Sequence, residues 1–382
     1  MRPPDHDRTT ELIDNSIDAF TKMEDARSDW LTLSREATIS PYQSYAFLSA
    51  WLDTAGRADG VAPFVIVSRD ADGRPNVLLP FCVMDRKIRI ALFMGGRESN
   101  FNLPLLPPHS GHDSASLRAL LKRAARHASS GPDLYYLRNQ PRRFEDFENP
   151  LVDNNAQKSA SFAYGTTLPA SAEEFAARFS SDARKKLRRK EARLAELGPV
   201  AYEHCAKGAR GAEIVDALIR QKSERFGVGA AFARCDVPKL LNTLRDIDED
   251  GGVELHALRV GERIVATYAG VVRGRRFSAM LNSFEQDEAV ARCSPGDLLL
   301  HALMRHLVAR GMTHFDLGAG EARYKTSVCN ETIELYDAIL PVTARGFLAA
   351  PTLAAYLRLK RRVKQTPSLI NLYHRLQSAF SA

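Results

Sequence analysis

Residues 253–284 read VELHALRVGERIVATYAGVVRGRRFSAMLNSF, and residues 294–317 read SPGDLLLHALMRHLVARGMTHFDL. Gly261-Glu262 and Gly274 are turn signals in the first run, which predicts three strands: Val253 to Val260, Arg263 to Val272 and Arg275 to Phe284. The second run predicts a helix from Pro295 to Arg310 and a strand from His314 to Leu317. Antiparallel strands feeding a helix that returns to a further strand define an α+β unit whose last crossover can be parallel.

Upstream of this unit, helices are predicted at Ala172 to Phe179, Asp182 to Leu197, Ala209 to Phe226 and Val237 to Asp248, with a strand at Val200 to His204. Downstream, a glycine loop leads to a strand at Ile333 to Leu340. Residues 30–138 repeat the outline: a helix at Pro41 to Leu52, three strands between Pro63 and Met94, a helix near Ser114 to Ala128 and a strand at Leu134 to Arg138. Asn139 to Ser159, rich in Pro, Asn and charge, reads as the join. The expected division is a flexible leader at 1–28, a first α/β unit at 29–160, a second at 161–345 and a basic tail at 346–382. The tail is expected to form two short amphipathic helices broken near Pro367.

A chain of 382 residues with 45% hydrophobic and 26% charged side chains has the composition of a globular protein with two cores, which excludes disordered and collagen-like classes. No apolar run approaches the ~20 residues that span a bilayer. The N-terminus lacks the apolar core of a signal peptide. Five scattered cysteines without a C-x-x-C pair argue for reduced thiols. The expected location is therefore cytoplasmic. The net charge of +7 lies wholly after Asp337, where seven basic and no acidic residues occur, so residues 1–337 are balanced and DNA is not an expected partner.

Ser294-Pro295-Gly296-Asp297-Leu298 is a helix start in which the Ser hydroxyl and Asp carboxylate are expected to cap free amides. It reads either as a well-capped helix or as an anion site, because Gly296 lets another molecule approach the amides. Asp316-Leu317-Gly318-Ala319-Gly320 and Tyr324-Lys325 follow. A P-loop would need glycine at 319 and 324, and a dinucleotide fingerprint would need Gly or Ala at 323, so both are rejected. A carboxylate at a strand end, two glycines and an aromatic-basic pair remain, compatible with a turn bearing a solvated Lys. His301 and His306, five residues apart, stand ~140° apart around a helix, so they do not share a metal and none is expected. Glu224, Glu285 and Tyr268 border the same elements and read as structural.

These segments in this order resemble the cellulose-biosynthesis acetyltransferase family (CelD/BcsL) of the GNAT superfamily. The likeness includes Pro41-Tyr42-Gln43-Ser44 with Trp51, the basic helix Arg184 to Lys190 with Gly198, and the two segments above. It spans residues 30 to 342 and is most specific in the second half. The resemblance implies an α+β fold of two tandem GNAT-like domains, mixed central sheets flanked by helices, similar to Fem-type peptidyl transferases, here with a basic C-terminal helical tail. It implies acetyl-CoA as co-substrate, its pyrophosphate held by Ser294, Pro295, Gly296, Asp297 and Leu298 with Gly318 and Gly320, and its pantetheine flanked by Arg275 to Phe284. Asp316 is then expected as base or substrate orienter, Tyr324 as proton donor to the sulfur, and Lys325 as an anion-binding or orienting charge. The implied reaction is N- or O-acetylation of a sugar nucleotide or lipid-linked sugar in exopolysaccharide assembly, of the cellulose or holdfast-like adhesin kind.

Arg184, Lys185 and Arg188 read either as part of a solvated helix or as phosphate-binding residues facing an interdomain cleft. Arg358, Arg361 and Arg362 in the tail suit an anionic membrane surface or a cyclic dinucleotide, or a helix packed with its charges in water. Peripheral attachment at the inner face of a membrane follows from the first of these. Two other functions fit the same sequence: a catalytically idle GNAT scaffold with a sensing tail, and a Fem-type aminoacyl transferase, which the balanced charge of the body disfavours.

Overall fold

The computed structural model describes residues 16–108, 110–128, 131–226, 236–248 and 250–366. The first half runs β1 (Ile17–Phe20), α1 (Arg27–Glu36), α2 (Tyr45–Trp51), α3 (Arg57–Asp59), β2 (Val61–Arg69), β3 (Pro75–Asp85), β4 (Arg89–Phe93), α4 (Ser114–His127) and β5 (Leu134–Pro141). A hairpin of β6 (Arg143–Phe144) and β7 (Phe147–Glu148) leads to β8 (Gln157–Lys158) and β9 (Ala163–Thr167). The second half begins with α5 (Ala172–Ala177), α6 (Ser181–Ala195), β10 (Val200–Glu203), α7 (Gly208–Phe226) and α8 (Asp236–Leu244). The meander follows as β11 (Val253–Val260), β12 (Arg263–Arg273) and β13 (Arg276–Phe284), then α9 (Glu288–Ala291), α10 (Pro295–Ala309) and β14 (His314–Ala319). The chain ends with α11 (Arg323–Val328), β15 (Glu331–Ile333), β16 (Leu335–Pro341) and α12 (Ala344–Gln365).

Two seven-stranded sheets result, in the orders β1-β2-β3-β4-β5-β16-β8 and β10-β11-β12-β13-β14-β9-β15. In each, an antiparallel meander passes through a helix, α4 or α10, to a strand that pairs parallel to the last strand of the meander. The next place in each sheet is taken by a strand remote in sequence. Strand β9 lies antiparallel to β14, and β16 lies antiparallel to β5. Of these two, β16 crosses from the second unit into the sheet of the first. The expectation that residues 333–340 complete the second unit is corrected: Leu335–Pro341 pairs with β5 and β8 in the first sheet.

Side-chain alternation along the strands divides the interior into layers. Leu255, Ala257, Ala269 and Val271 join α7, α8, α1 and α2 in a core shared by both halves. Leu258, Tyr268, Phe277 and Ala279 point the other way, onto α5, α6 and α10. On the first sheet, Leu117, Leu120, Leu121 and Ala124 form the apolar stripe of α4, at the spacing that keeps one helical face on a sheet.

Three boundaries differ from expectation. The leader is shorter, because Ile17–Phe20 pairs with β2 and Trp30 of α1 is wholly buried; residues 1–15 lie outside the described residues. The join is packed: Asn149 is buried and donates to the carbonyl of Pro141 at 3.2 Å, and Gln157–Lys158 edges the first sheet. The tail opens as a single helix, Ala344–Gln365, with Pro351 tolerated inside it, and the expected break at Pro367 falls outside the described residues. Among the described residues no helix is long and apolar enough to cross a membrane.

Candidate active site

Strands β13 and β14 pair in parallel only from Arg276 to Ser278, opposite His314 to Asp316, and then diverge. Where they part, β13 carries a bulge: β12 advances one residue, from Ala269 to Gly270, while β13 spans Leu281 to Ala279. Met280 is thereby left without a paired residue on β12. The corresponding pairing of β3 with β4 in the first half has no such irregularity. From the side of the shared core the split is held by Asn100, whose Nδ2 donates to the Ala279 carbonyl at 3.1 Å and whose Oδ1 accepts from the Ala319 amide at 3.1 Å. Tyr42 accepts from the same Nδ2 at 2.6 Å.

The amide end of α10 adjoins this split. Ser294 occupies the cap position with φ 51° and ψ 59°, a left-handed conformation, and its hydroxyl caps nothing. The expected capping box is absent because that backbone turns the side chain away, and Asp297 pairs instead with Lys190 Nζ at 2.8 Å. The carboxylate that would repel an anion is thus neutralised. By contrast α4 is closed by Asp113, which accepts from the Ser116 amide at 2.8 Å. Of the five residues expected to meet a pyrophosphate, Pro295 has no N–H and is buried, and Leu298 packs in the core. The amides of Asp297 and Leu298 return to the Ser294 carbonyl at 3.0 and 3.3 Å. Gly296 contributes an amide that the helix itself cannot satisfy. A Cβ there would sit 3.4 Å from the Phe284 ring, over which Arg225 lies at 4.9 Å.

Tyr324 projects from α11, a helix where only a glycine loop was expected, and its hydroxyl faces Tyr268, which accepts from Asn282 Nδ2 at 3.1 Å. Burial is the main cause that holds the Tyr324 hydroxyl above its ordinary pKa, so it remains a proton donor at neutral pH. Tyr324 lines a hollow of ≈ 290 Å³ between α6, α10 and α11, together with Lys186, Lys190, Asp297 and Ser327. Lys325 turns inward and donates to the carbonyls of Gly318 and Ala319 at 3.1 and 3.2 Å. Desolvation lowers its pKa to about 8. Its expected anion contact is replaced by a tie to the end of β14.

Asp316, expected as base or substrate orienter, is tied into a buried bond network. Its side chain is 2% exposed, both oxygens accept from Arg276 Nη1 at 2.8 and 2.9 Å, and Ser278 donates a third bond at 2.8 Å. Its lone pairs are committed to holding β13 against β14. Gly318, with φ 69°, is required by packing: a Cβ would lie 2.3 Å from Asn100 Nδ2. Gly320, with φ 100°, donates to the Phe162 carbonyl at 2.9 Å, tying the loop to the start of β9.

Arg184, Lys185 and Arg188 are exposed on α6, and α6 covers the outer face of the second sheet rather than the shared core. The interdomain placement expected for them is corrected. Arg184 and Arg188 line a groove of ≈ 600 Å³ with Tyr202, His301 and Arg305. In the tail, Arg358 and Arg362 are exposed, whereas Arg361 bonds the Ser159 carbonyl and lies 5.4 Å over Phe162. Arg361 is thus a structural contact. Sequence reasoning missed Asn100, Asn282, Met280 and Arg276, and it read Tyr268 as structural. Only the alternation of Arg276 and Ser278 on one strand face hinted at a partner for Asp316.

A strand meander with a bulge, a parallel split and an uncapped helix end meet in the second half, whereas the first sheet repeats the meander and the parallel crossover without the bulge and with a capped helix. Residues 181–326 match the family profile described as an acetyltransferase (GNAT) domain. The chain is similar in structure to a conserved protein of unknown function from Bacteroides thetaiotaomicron, at 12% identity and TM-score 0.53, covering 85% of this chain and 100% of that one. It is also similar to the C-terminal domain (DUF2156) of a putative lysylphosphatidylglycerol synthetase from Agrobacterium fabrum, at 13% identity and TM-score 0.52, covering 88% and 96%. At such identities the likeness is one of fold. Comparison with curated protein sequences gives no match.

Proposed function

We propose that the second half binds acetyl-CoA and transfers its acetyl group to an amine or hydroxyl of a sugar nucleotide or lipid-linked sugar in exopolysaccharide assembly. The observation that carries the acyl-transfer reading is the bulge at Met280 in the mouth of the β13–β14 split, beside the uncapped end of α10. In this reading Gly296 and the positive end of α10 receive the pyrophosphate, and the hollow lined by Lys186, Lys190 and Ser327 takes the nucleotide end. The Met280 amide polarises the thioester carbonyl. The acceptor attacks that carbon, the C–S bond breaks, and the thiolate takes the Tyr324 proton. The acceptor's proton leaves through water and returns to Tyr324. The sugar acceptor is supported by the sequence resemblance alone.

We further read α12 as a membrane-surface helix. Phe347, Leu348, Tyr356 and Leu359 are 60%, 81%, 58% and 61% exposed, on a helix carrying Arg358, Lys360 and Arg362 and no acid. The test of the transfer reading is calorimetric titration of the full chain with acetyl-CoA, alongside a thermal scan. A ligand at ~100 times its Kd should stabilise the fold by ~2.7 kcal/mol. No heat and no shift would remove the acyl donor.

A further inference from the structure

At the far end of α10, roughly 16 Å along the helix from its amide end, a second cluster of chemistry-bearing side chains meets. Glu254 and His256, two apart on β11, share one face of the strand. Cys205 follows β10 in a left-handed conformation, φ 54°. One ligand atom from each of the three lies within 4.8 Å of the others. His306 of α10 brings its Nε2 to 3.6 Å from the Cys205 sulfur.

His256 is 0% exposed, yet its Nε2 has no hydrogen-bond partner. The nearest acceptor, Glu254 Oε2, stands 3.6 Å away, beyond the ~3.2 Å limit of a good N–H···O bond. Bonds of ~2.0–2.3 Å to a tetrahedral ion place neighbouring donor atoms roughly 3.3–3.7 Å apart. The 3.6 Å separation of His256 from Glu254 falls in that range. His204 Nδ1 lies 3.1 Å from His256 Nδ1, the contact by which an outer partner fixes the tautomer of a metal-binding imidazole.

We infer that Cys205, Glu254, His256 and His306 form a binding site for a divalent ion of the zinc class, joining β10, β11 and α10. One thiolate, two imidazoles and a carboxylate select such an ion over magnesium or calcium. Arg310 holds the cation's place here: it donates to both Glu254 oxygens at 2.7 Å and to the Cys205 sulfur at 3.3 Å. Its side chain is 35% exposed, so it swings into solvent when the ion enters, and the Cys205 thiol releases its proton. His306 closes the set by a change of rotamer. His204 and His306 also line the ≈ 600 Å³ groove, which gives the ion its route. Neither the acyl donor nor Tyr324 takes part, so the site stands independently of the proposed reaction.

The test is titration of the chelator-treated full chain with Co²⁺. One equivalent should produce a thiolate-to-cobalt charge-transfer band and the strong visible bands of a tetrahedral site, and Zn²⁺ should abolish both. Cys205→Ser should remove the charge-transfer band, and His306→Gln should weaken binding at least tenfold. Cys329→Ser should change neither. Circular dichroism checks that each variant is folded. Binding well below one equivalent in the wild-type chain, or an unchanged spectrum in folded Cys205→Ser, would overturn the site.

Discussion

Asn100, from the loop after β4, accepts a hydrogen bond from the Ala319 amide at 3.1 Å and so links the first half to the strand that borders the split in the second. Its Nδ2 simultaneously bonds Tyr42 and the Ala279 carbonyl. Asn100→Asp keeps the shape but turns an acceptor toward the Ala279 carbonyl. The expected loss is ~1–3 kcal/mol of stability, read from urea unfolding. An unchanged midpoint would show that the two strands stand apart without this wedge.

Asp316 and Arg276 make a buried pair, with Glu145 Oε1 on the other side of the guanidinium at 2.9 Å. Asp316→Asn leaves Arg276 half-compensated, and breaking such a pair costs ~3–5 kcal/mol. A marked fall in melting temperature is therefore expected. A variant with wild-type stability but lost turnover would restore Asp316 to the reaction.

Lys325 makes stability depend on pH. Its folded pKa is about 8, lowered from 10.5, so between these values the unfolded chain binds more protons than the folded one. Stability from this group therefore rises as pH climbs from about 8 toward 10.5. Lys325→Met should flatten that rise. Urea midpoints at both ends of the window, for wild type and variant, read the difference directly, with the depressed Lys222 common to both.

Tyr324→Phe separates chemistry from binding. The hydroxyl is kept protonated chiefly by burial. If it donates to the leaving sulfur, removing it should lower kcat by ~10²-fold while the acetyl-CoA KM moves little. Equal rates with a thioester substrate would assign the proton to water.

Much of this was legible in the sequence because its cause is local. Gly261-Glu262 and Gly274 turn the meander where it was read to turn, and the predicted β11 matches to the residue. The sheet places of β9 and β16 were not legible, because both find partners remote in sequence and their own residues carry no mark of which sheet takes them. At the candidate site, the start of α10 at Ser294-Pro295-Gly296 was legible, but its cap was not. Residue types suggested a capping box, while the backbone at Ser294 is left-handed and the cap is missing. The ties of Asp316 were hidden in the same way: a carboxylate at a strand end looks free until Arg276 and Ser278 are seen beside it.

Helix α12 offers the last test. Leu357 and Gly346 fasten it to the first sheet, with Gly346 so close that a Cβ would meet the Asp133 carbonyl at 1.9 Å. Truncating the tail would therefore damage the fold, and point variants on the outer face are the sound choice. Arg358 and Arg362 are exposed, and each charge near an anionic surface contributes ~1 kcal/mol. Arg358→Gln with Arg362→Gln should weaken sedimentation with phosphatidylserine vesicles about 30-fold, ~2 kcal/mol, while leaving the melting temperature unchanged. Leu348→Ser with Leu359→Ser should weaken it on neutral and anionic vesicles alike, because those side chains act through apolar area rather than charge. Vesicle binding indifferent to both pairs would mean that this face of α12 meets something other than lipid.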